Sequence, residues 1–251
     1  MKQDSKNGFV YIASDPKKSP SPYKFNSNKK LLHLEFEHSF TTLKKYHPDI
    51  PVTLFTNYDN LLENKIGVDE VLHIDSDWGF IPKVSGLNLS PYSRTVFLDC
   101  DTQVNSPIDD LFFYLKNNDL VICQEFSNKD IFNTGVLGVN SLSPFLLLWL
   151  KRMHDRKNWA IQKHKRGDRV PNKIPDDQAE LNEIIRGIKR PRINKYIAEI
   201  QDTLSDFNYK VLDSRVYNCR VQELKECKSS NFNLELIKVL HFRNLWRKNE
   251  L

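Results

Sequence analysis

The run Arg94-Thr95-Val96-Phe97-Leu98-Asp99-Cys100-Asp101-Thr102-Gln103-Val104 is the stretch that most narrows what this chain can become. Val96, Phe97 and Leu98 are apolar without a break, as in a buried strand. Two carboxylates follow at i and i+2. In an extended chain alternate side chains share a face, so Asp99 and Asp101 are expected to project together from the strand's carboxyl end. That edge is where open α/β sheets bind ligands. Two hard oxygen ligands suit Mg²⁺ or Mn²⁺, which can hold a diphosphate in turn. The same two acids would also fit a solvated strand-to-turn junction, so the rest of the chain has to decide.

The flanking sequence reads as alternating strands and helices. Residues 8–13 form a first strand, and a proline- and serine-rich loop follows it. Leu31, Leu32, Leu34, Phe36, Phe40 and Leu43 recur at helical spacing over 29–46, and His47-Pro48 ends that helix. Strands are expected at 52–56 and 68–74, which completes a βαβ unit of a parallel sheet. A weaker helix over 80–89 precedes the Asp99 strand. Ser106-Pro107 reads as the cap of another helix with Asp109 and Asp110 in its first turn. Strands at 120–123 and 135–139 follow, then a helix capped by Ser143-Pro144 and running to about residue 157. Asp176 caps a helix over 176–186, with Asp177 in its first turn. Short strands near 209–212 and 237–241 form a small late β region.

Length and composition set the outer limits. With 251 residues, 39% hydrophobic and 27% charged, the chain has globular composition, and we read 1–251 as one domain. No apolar run approaches the roughly 20 residues of a spanning helix. Residues 1–6 lack the apolar core of a signal peptide. Four cysteines without a C-x-x-C pair argue for neither a zinc site nor a disulfide framework. A reduced, cytoplasmic protein is the expectation. The basic run 163–169 is either solvated surface or a face for an anionic acceptor or a membrane. Nucleic acid is not among the expected partners.

The phosphate-loop, G-x-G-x-x-G and G-x-S-x-G motifs are all missing, which sets aside the enzyme classes they mark. Three further clusters match the character of the Asp99 motif. They are Asn133-Thr134-Gly135-Val136, Asp176-Asp177-Gln178 with Leu181-Asn182, and Leu240-His241-Phe242-Arg243. With residues 9–13, Leu54-Phe55-Thr56-Asn57, the 90–102 stretch and Tyr217-Asn218-Cys219-Arg220, the set spans nearly the whole chain. Together it resembles glycosyltransferases of the GT-A fold, the nucleotide-diphospho-sugar transferases related to family 8.

The resemblance implies an α/β fold with a mostly parallel central sheet flanked by helices. It implies a nucleotide-diphosphate sugar donor, UDP-sugar favoured, an unknown glycan, lipid or protein acceptor, and retaining chemistry of the family 8 kind. Asp99, Asp101 and His241 would hold Mn²⁺ or Mg²⁺. Tyr11, Ala13 and Asn57 would line the base and ribose. Lys83, Arg94 and Arg243 would add charge at the diphosphate. Asn133, Asp177 and Gln178 would face the donor sugar or reacting centre. Two departures stand out: an enlarged loop at 16–30, and no glycine-rich, lysine-containing tail after His241, where Arg243, Arg247 and Lys248 would have to substitute. Two rival readings remain, a haloacid-dehalogenase-type phosphatase with Asp99 as nucleophile, and a noncatalytic nucleotide-sugar binder.

Overall fold

Strand β1 (Asn7–Ala13) alternates its side chains between two cores: Phe9, Tyr11 and Ala13 enter one, Val10 the other. That period of two belongs to a strand covered on both faces. The computed structural model describes residues 7–15, 18, 29–59, 61, 67–75, 77–126, 128–141, 143–170, 175–189 and 207–242. In it β1 lies between β2 (Val52–Thr56) and β4 (Arg94–Leu98), with β3 (Glu70–His73) beyond β2. Beyond β4 come β7 (Phe132–Asn140), β6 (Leu120–Gln124) and β8 (Tyr209–Leu212). The order is β3-β2-β1-β4-β7-β6-β8. Among these strands β7 runs antiparallel to both its neighbours, and the other pairings are parallel.

Helices cover both faces. α1 (Lys29–Tyr46) and the short α3 (Asp110–Tyr114) pack Phe36, Leu43 and Phe112 on the side of Phe9 and Leu98. α2 (Ile81–Asn88), α4 (Pro144–Lys165) and α5 (Asp177–Lys189) pack Val84, Trp149 and Ile184 on the side of Val10 and Phe97. Each such side chain, fully buried, contributes about 1.5–3 kcal/mol. The strand and helix expectations therefore hold, with shifted ends. Ser143 caps α4 by accepting from the Phe145 N–H at 3.3 Å, but the helix continues to Lys165. Lys163, His164 and Lys165 thus fall in its last turn, where cations oppose the negative end of the helix dipole. α3 departs further from expectation. It begins at Asp110, and Asp109 makes no capping hydrogen bond. Asp110 instead accepts from Lys238 Nζ at 2.6 Å and from the Tyr217 hydroxyl, tying α3 to the late part of the chain.

A second, three-stranded sheet contains two strands too short to announce themselves by periodicity. β5 (Thr102–Val104) follows the aspartate motif directly, and β9 (Cys219–Arg220) follows the one-turn helix α6 (Ser214–Tyr217). β10 (Val239–His241) lies between them, antiparallel to β5 and parallel to β9. α7 (Leu224–Ser229) packs Cys227 beneath Cys219 and Ile237.

α5 is clamped to the start of β7 by one amide. Asn182 accepts from the Phe132 N–H at 2.8 Å and donates to the Phe132 carbonyl at 2.9 Å, so it pairs with that residue as a neighbouring strand would. Asn182→Ala leaves both buried backbone groups without these bonds. At about 1–3 kcal/mol for each unsatisfied group, the variant should lose roughly 2–6 kcal/mol in denaturant unfolding, with its helix content unchanged by circular dichroism.

Candidate metal and donor site

Asp99 and Asp101 do come together, though not by the expected route. The chain is not extended there: β4 stops at Leu98 and residues 100–101 form a turn before β5. The Thr102 hydroxyl donates to the Asp99 carbonyl at 2.8 Å and closes that turn. Strand parity places Asp99 on the same side as Phe97. That side faces α2, whose Lys83 ammonium lies 4.6 Å from the Phe97 ring centroid and 3.1 Å from Asp99 Oδ1.

His241 reaches the motif through strand pairing. It stands opposite Thr102 in the β5–β10 register, and the Phe242 N–H donates to the Asp101 carbonyl at 2.8 Å. His241 Nε2 lies 3.1 Å from Asp101 Oδ1 and 3.7 Å from Asp99 Oδ2. Ligand atoms from Asp99, Asp101 and His241 all fall within 4.8 Å of one another. On its other edge the imidazole presses against the β7 backbone at Gly135. A Cβ there would sit 2.6 Å from His241 Nδ1, so the close approach requires glycine. Burial alone would lower the His241 pKa, but the carboxylates of Asp101 and Asp99 outweigh it and raise it above the ordinary histidine value.

Lys83 is the second centre. Its ammonium meets Asp177 Oδ2 at 2.9 Å, Asp99 Oδ1 at 3.1 Å and Thr134 Oγ1 at 3.2 Å, which occupies its three donors. Burial would strip its proton, and the two carboxylates more than compensate, so Lys83 is a fixed cation. Burial pushes the Asp99 carboxyl above its usual range, and Lys83 and then His241 pull it back only in part. Thr134 also donates to Asp177 Oδ2 at 2.7 Å, and the Asp177 carbonyl accepts from the Trp149 indole at 3.1 Å. Asp177 is 4% exposed, so it is no mere cap-region charge. The cap is Asp176, whose Oδ1 accepts from the Ala179 N–H at 2.9 Å.

A cavity of ≈ 370 Å³ opens over these groups, lined by Phe80, Lys83, Asp99, residues 133–135 at the start of β7, Asp176, Asp177, Gln178, Arg220, Gln222 and His241. Of the residues the sequence singled out, Asn133, Lys83, Asp99, Asp177, Gln178 and His241 meet here. Others do not. Arg94 begins β4, paired with Asn7 and Asn140, and so lies a strand's length from Asp99 at the opposite edge of the sheet. Five residues of strand separate the two ends, about 16 Å, and the expected role of Arg94 at the diphosphate is withdrawn. Tyr11 is wholly buried with its hydroxyl on Ser39 at 2.9 Å, so its side chain is core. Ala13 is buried too, and its carbonyl accepts from Thr56 Oγ1 at 2.8 Å. Asn57 Oδ1 accepts from the Asp15 N–H at 2.5 Å. These three mark the carboxyl ends of β1 and β2 and do not line the cavity. Arg243, Arg247, Lys248 and nearly all of the 16–30 loop lie outside the described residues.

Sequence reasoning missed Thr134, Asn218, Glu125, Arg220 and Gln222. Arg220 is the guanidinium at the cavity, paired with Glu125, whose Oε1 also accepts from Gln178 Nε2 at 3.1 Å. Thr134, Asn218 and Arg220 sat inside the motifs that carry the resemblance, but Glu125, 95 residues from the Arg220 it pairs with, carries no local signal.

The residues fit a divalent cation. Two carboxylates and an imidazole converge, and in formal charge Asp99, Asp101 and Asp177 exceed Lys83 by two negatives. Neither the family models nor the curated proteins include a match to this sequence. Solved structures do match. The galactosyltransferase LgtC, in complex with donor and acceptor sugar analogs, aligns at TM-score 0.54 and 13% identity, over 96% of this chain and 90% of that one. The glycosyltransferase GlyE of Streptococcus pneumoniae TIGR4 aligns at TM-score 0.53 and 14% identity over 98% of this chain, which spans only 57% of the GlyE chain. The fold is therefore the GT-A fold of glycosyltransferases.

The Lys83 cluster generates a stability prediction. Removing one partner of a buried ion pair costs about 3–5 kcal/mol because the other charge is stranded. Lys83→Met should lose that much in urea unfolding, and adding Asp177→Asn should restore part of it. Equal stabilities for wild type and Lys83→Met would show that the ammonium does not hold the two carboxylates.

Proposed function

We propose that the chain is a metal-dependent glycosyltransferase that moves a sugar from a nucleotide-diphosphate donor, a UDP-sugar in the first instance, to a glycan, lipid or protein acceptor. The observation that carries this reading is the convergence of Asp99, Asp101 and His241 beside a polar cavity at the carboxyl edge of a GT-A sheet. LgtC, which shares the fold and was solved with donor and acceptor sugar analogs, supports a reaction between a sugar donor and an acceptor. An imidazole among the ligands favours Mn²⁺ over the all-oxygen surroundings Mg²⁺ prefers. When bound, the metal supplies Lewis-acid stabilisation of the departing nucleoside diphosphate.

The chain's own residues divide the remaining work. Asp99 turns Oδ1 to Lys83 and leaves Oδ2 toward His241 and the metal position. Lys83 keeps the Asp177 carboxylate fixed in orientation instead of reaching for phosphate. Gln178, steadied by Glu125, offers its amide to sugar hydroxyls, and Arg220 supplies positive charge at the cavity in place of Arg94. Retention is favoured by what the acids are doing. Asp177 is committed to Lys83 and Thr134, and Asp176 caps α5, so neither stands open as a base for an acceptor hydroxyl. We place the activity in the cytoplasm. No helix among the described residues is long and apolar enough to cross a membrane. The phosphatase reading of Asp99 draws no support from a GT-A fold.

A screen of UDP- and GDP-sugars with Mn²⁺, reading released nucleoside diphosphate, tests the proposal. Turnover should need the metal, and Asp101→Asn should cut it by roughly 10²–10³-fold while the melting temperature holds. Undiminished turnover in chelator sinks the metal role. A covalent phosphate or beryllofluoride adduct on Asp99 would replace the transferase with a phosphatase.

A further inference from the structure

One backbone N–H decides how His241 presents itself. The amide N–H of Gly135 can only donate, and it meets the Asn133 side chain at 2.8 Å, so the atom facing it is the carbonyl oxygen Oδ1. Asn218 approaches that same oxygen at 2.6 Å and must do so with its amide nitrogen, since two carbonyl oxygens would repel. The Asn218 oxygen is then left facing His241 Nδ1 at 2.8 Å, and it can only accept. Nδ1 therefore carries the hydrogen. In the neutral ring Nε2 is bare, and it is Nε2 that points at Asp101 and Asp99. The relay runs through buried groups: Asn218 is 2% exposed and Asn133 6%.

We infer that Asn218 is a positioning residue for the metal site, fixing the Nδ1–H tautomer of His241 and aiming its Nε2 lone pair between Asp99 and Asp101. The inference rests on the metal-dependent reading above. It adds a residue that touches neither metal nor reacting atoms and acts through His241. A ligating imidazole usually gives its second N–H to a partner that sets ring orientation and basicity, and losing such a partner weakens metal affinity about 10–100-fold. The relay also has a second consequence. Asn133, which lines the cavity, shares Oδ1 between Gly135 and Asn218, so a cavity residue and a metal ligand are held by the same amide. Gly135 completes the arrangement by letting the imidazole lie against the β7 backbone.

The test is Mn²⁺ binding by the full chain with UDP present, followed by loss of the free-ion signal in electron paramagnetic resonance. Asn218→Ala should weaken Mn²⁺ by roughly 10–100-fold relative to wild type at a similar melting temperature. Asn218→Ser, too short to reach Nδ1 but still polar, carries the same comparison if the alanine variant fails to fold. Nitrogen coupling to bound Mn²⁺, assigned with ¹⁵N-histidine, should be present in wild type and diminished in the variant, a change that altered packing at a distance would not produce. Unchanged affinity and unchanged coupling in a folded variant, with wild type binding normally, overturn this inference alone. A wild-type chain that binds no Mn²⁺ overturns the metal reading, and this inference with it.

Discussion

The Lys83 ammonium, held between Asp99 and Asp177, is the contact on which the site's architecture depends. It joins the end of β4, the first turn of α5, the body of α2 and, through Thr134, strand β7. A lone buried ammonium or carboxylate carries a desolvation cost of several kcal/mol, so each of these groups requires the others. Charge pairing therefore does here what apolar packing does in the rest of the molecule. It sets where α2 and α5 begin relative to the sheet. The excess of negative charge that remains lies on the side of Asp101 and His241, where a cation would be drawn.

Strand direction explains why so many polar groups share one edge. β4 runs out toward its carboxyl end at Asp99, while antiparallel β7 starts there, so the first residues of β7 stand beside the last of β4. Asn133, Thr134 and Gly135 fall at the site for that reason. The β6–β7 register also slips between Ile122 and Cys123, loosening the ladder where these side chains turn toward the cavity. Bulges of this kind bend a strand and re-aim its side chains. The three-stranded sheet then carries His241 and Asn218 in from the late part of the chain. The centre thus draws on residues 83 to 241 with no two ligand segments adjacent except Asp99 and Asp101.

Much of this was readable beforehand. The alternating strands and helices, the edge at which Asp99 would emerge, and the membership of Asn133, Asp177, Gln178 and His241 in one constellation all follow from local pattern and motif. Where the reading failed, long-range pairing was the reason. β5 and β9, at three and two residues, carry no periodicity, and they exist only because β10 lies between them. The family resemblance put Arg94 at the diphosphate, yet a strand that delivers Asp99 to one end must leave Arg94 at the other. Tyr11 carries a hydroxyl suited to a ligand, but Ser39 on α1 takes it inside the core.

The sequence by itself determined the secondary-structure alternation, the α/β class and which residue types gather at the site, because these depend on hydrophobic period and on chemistry within a few residues. The tertiary structure decided which of those residues are spent on one another. It made Lys83 an anchor for two carboxylates, Asn182 a backbone clamp, and Asn218 the partner that orients His241. Those assignments turn on distances of about 3 Å between groups 16 to 94 residues apart in the chain. Hydrogen bonds and ion pairs at that range depend on geometry that no local pattern encodes.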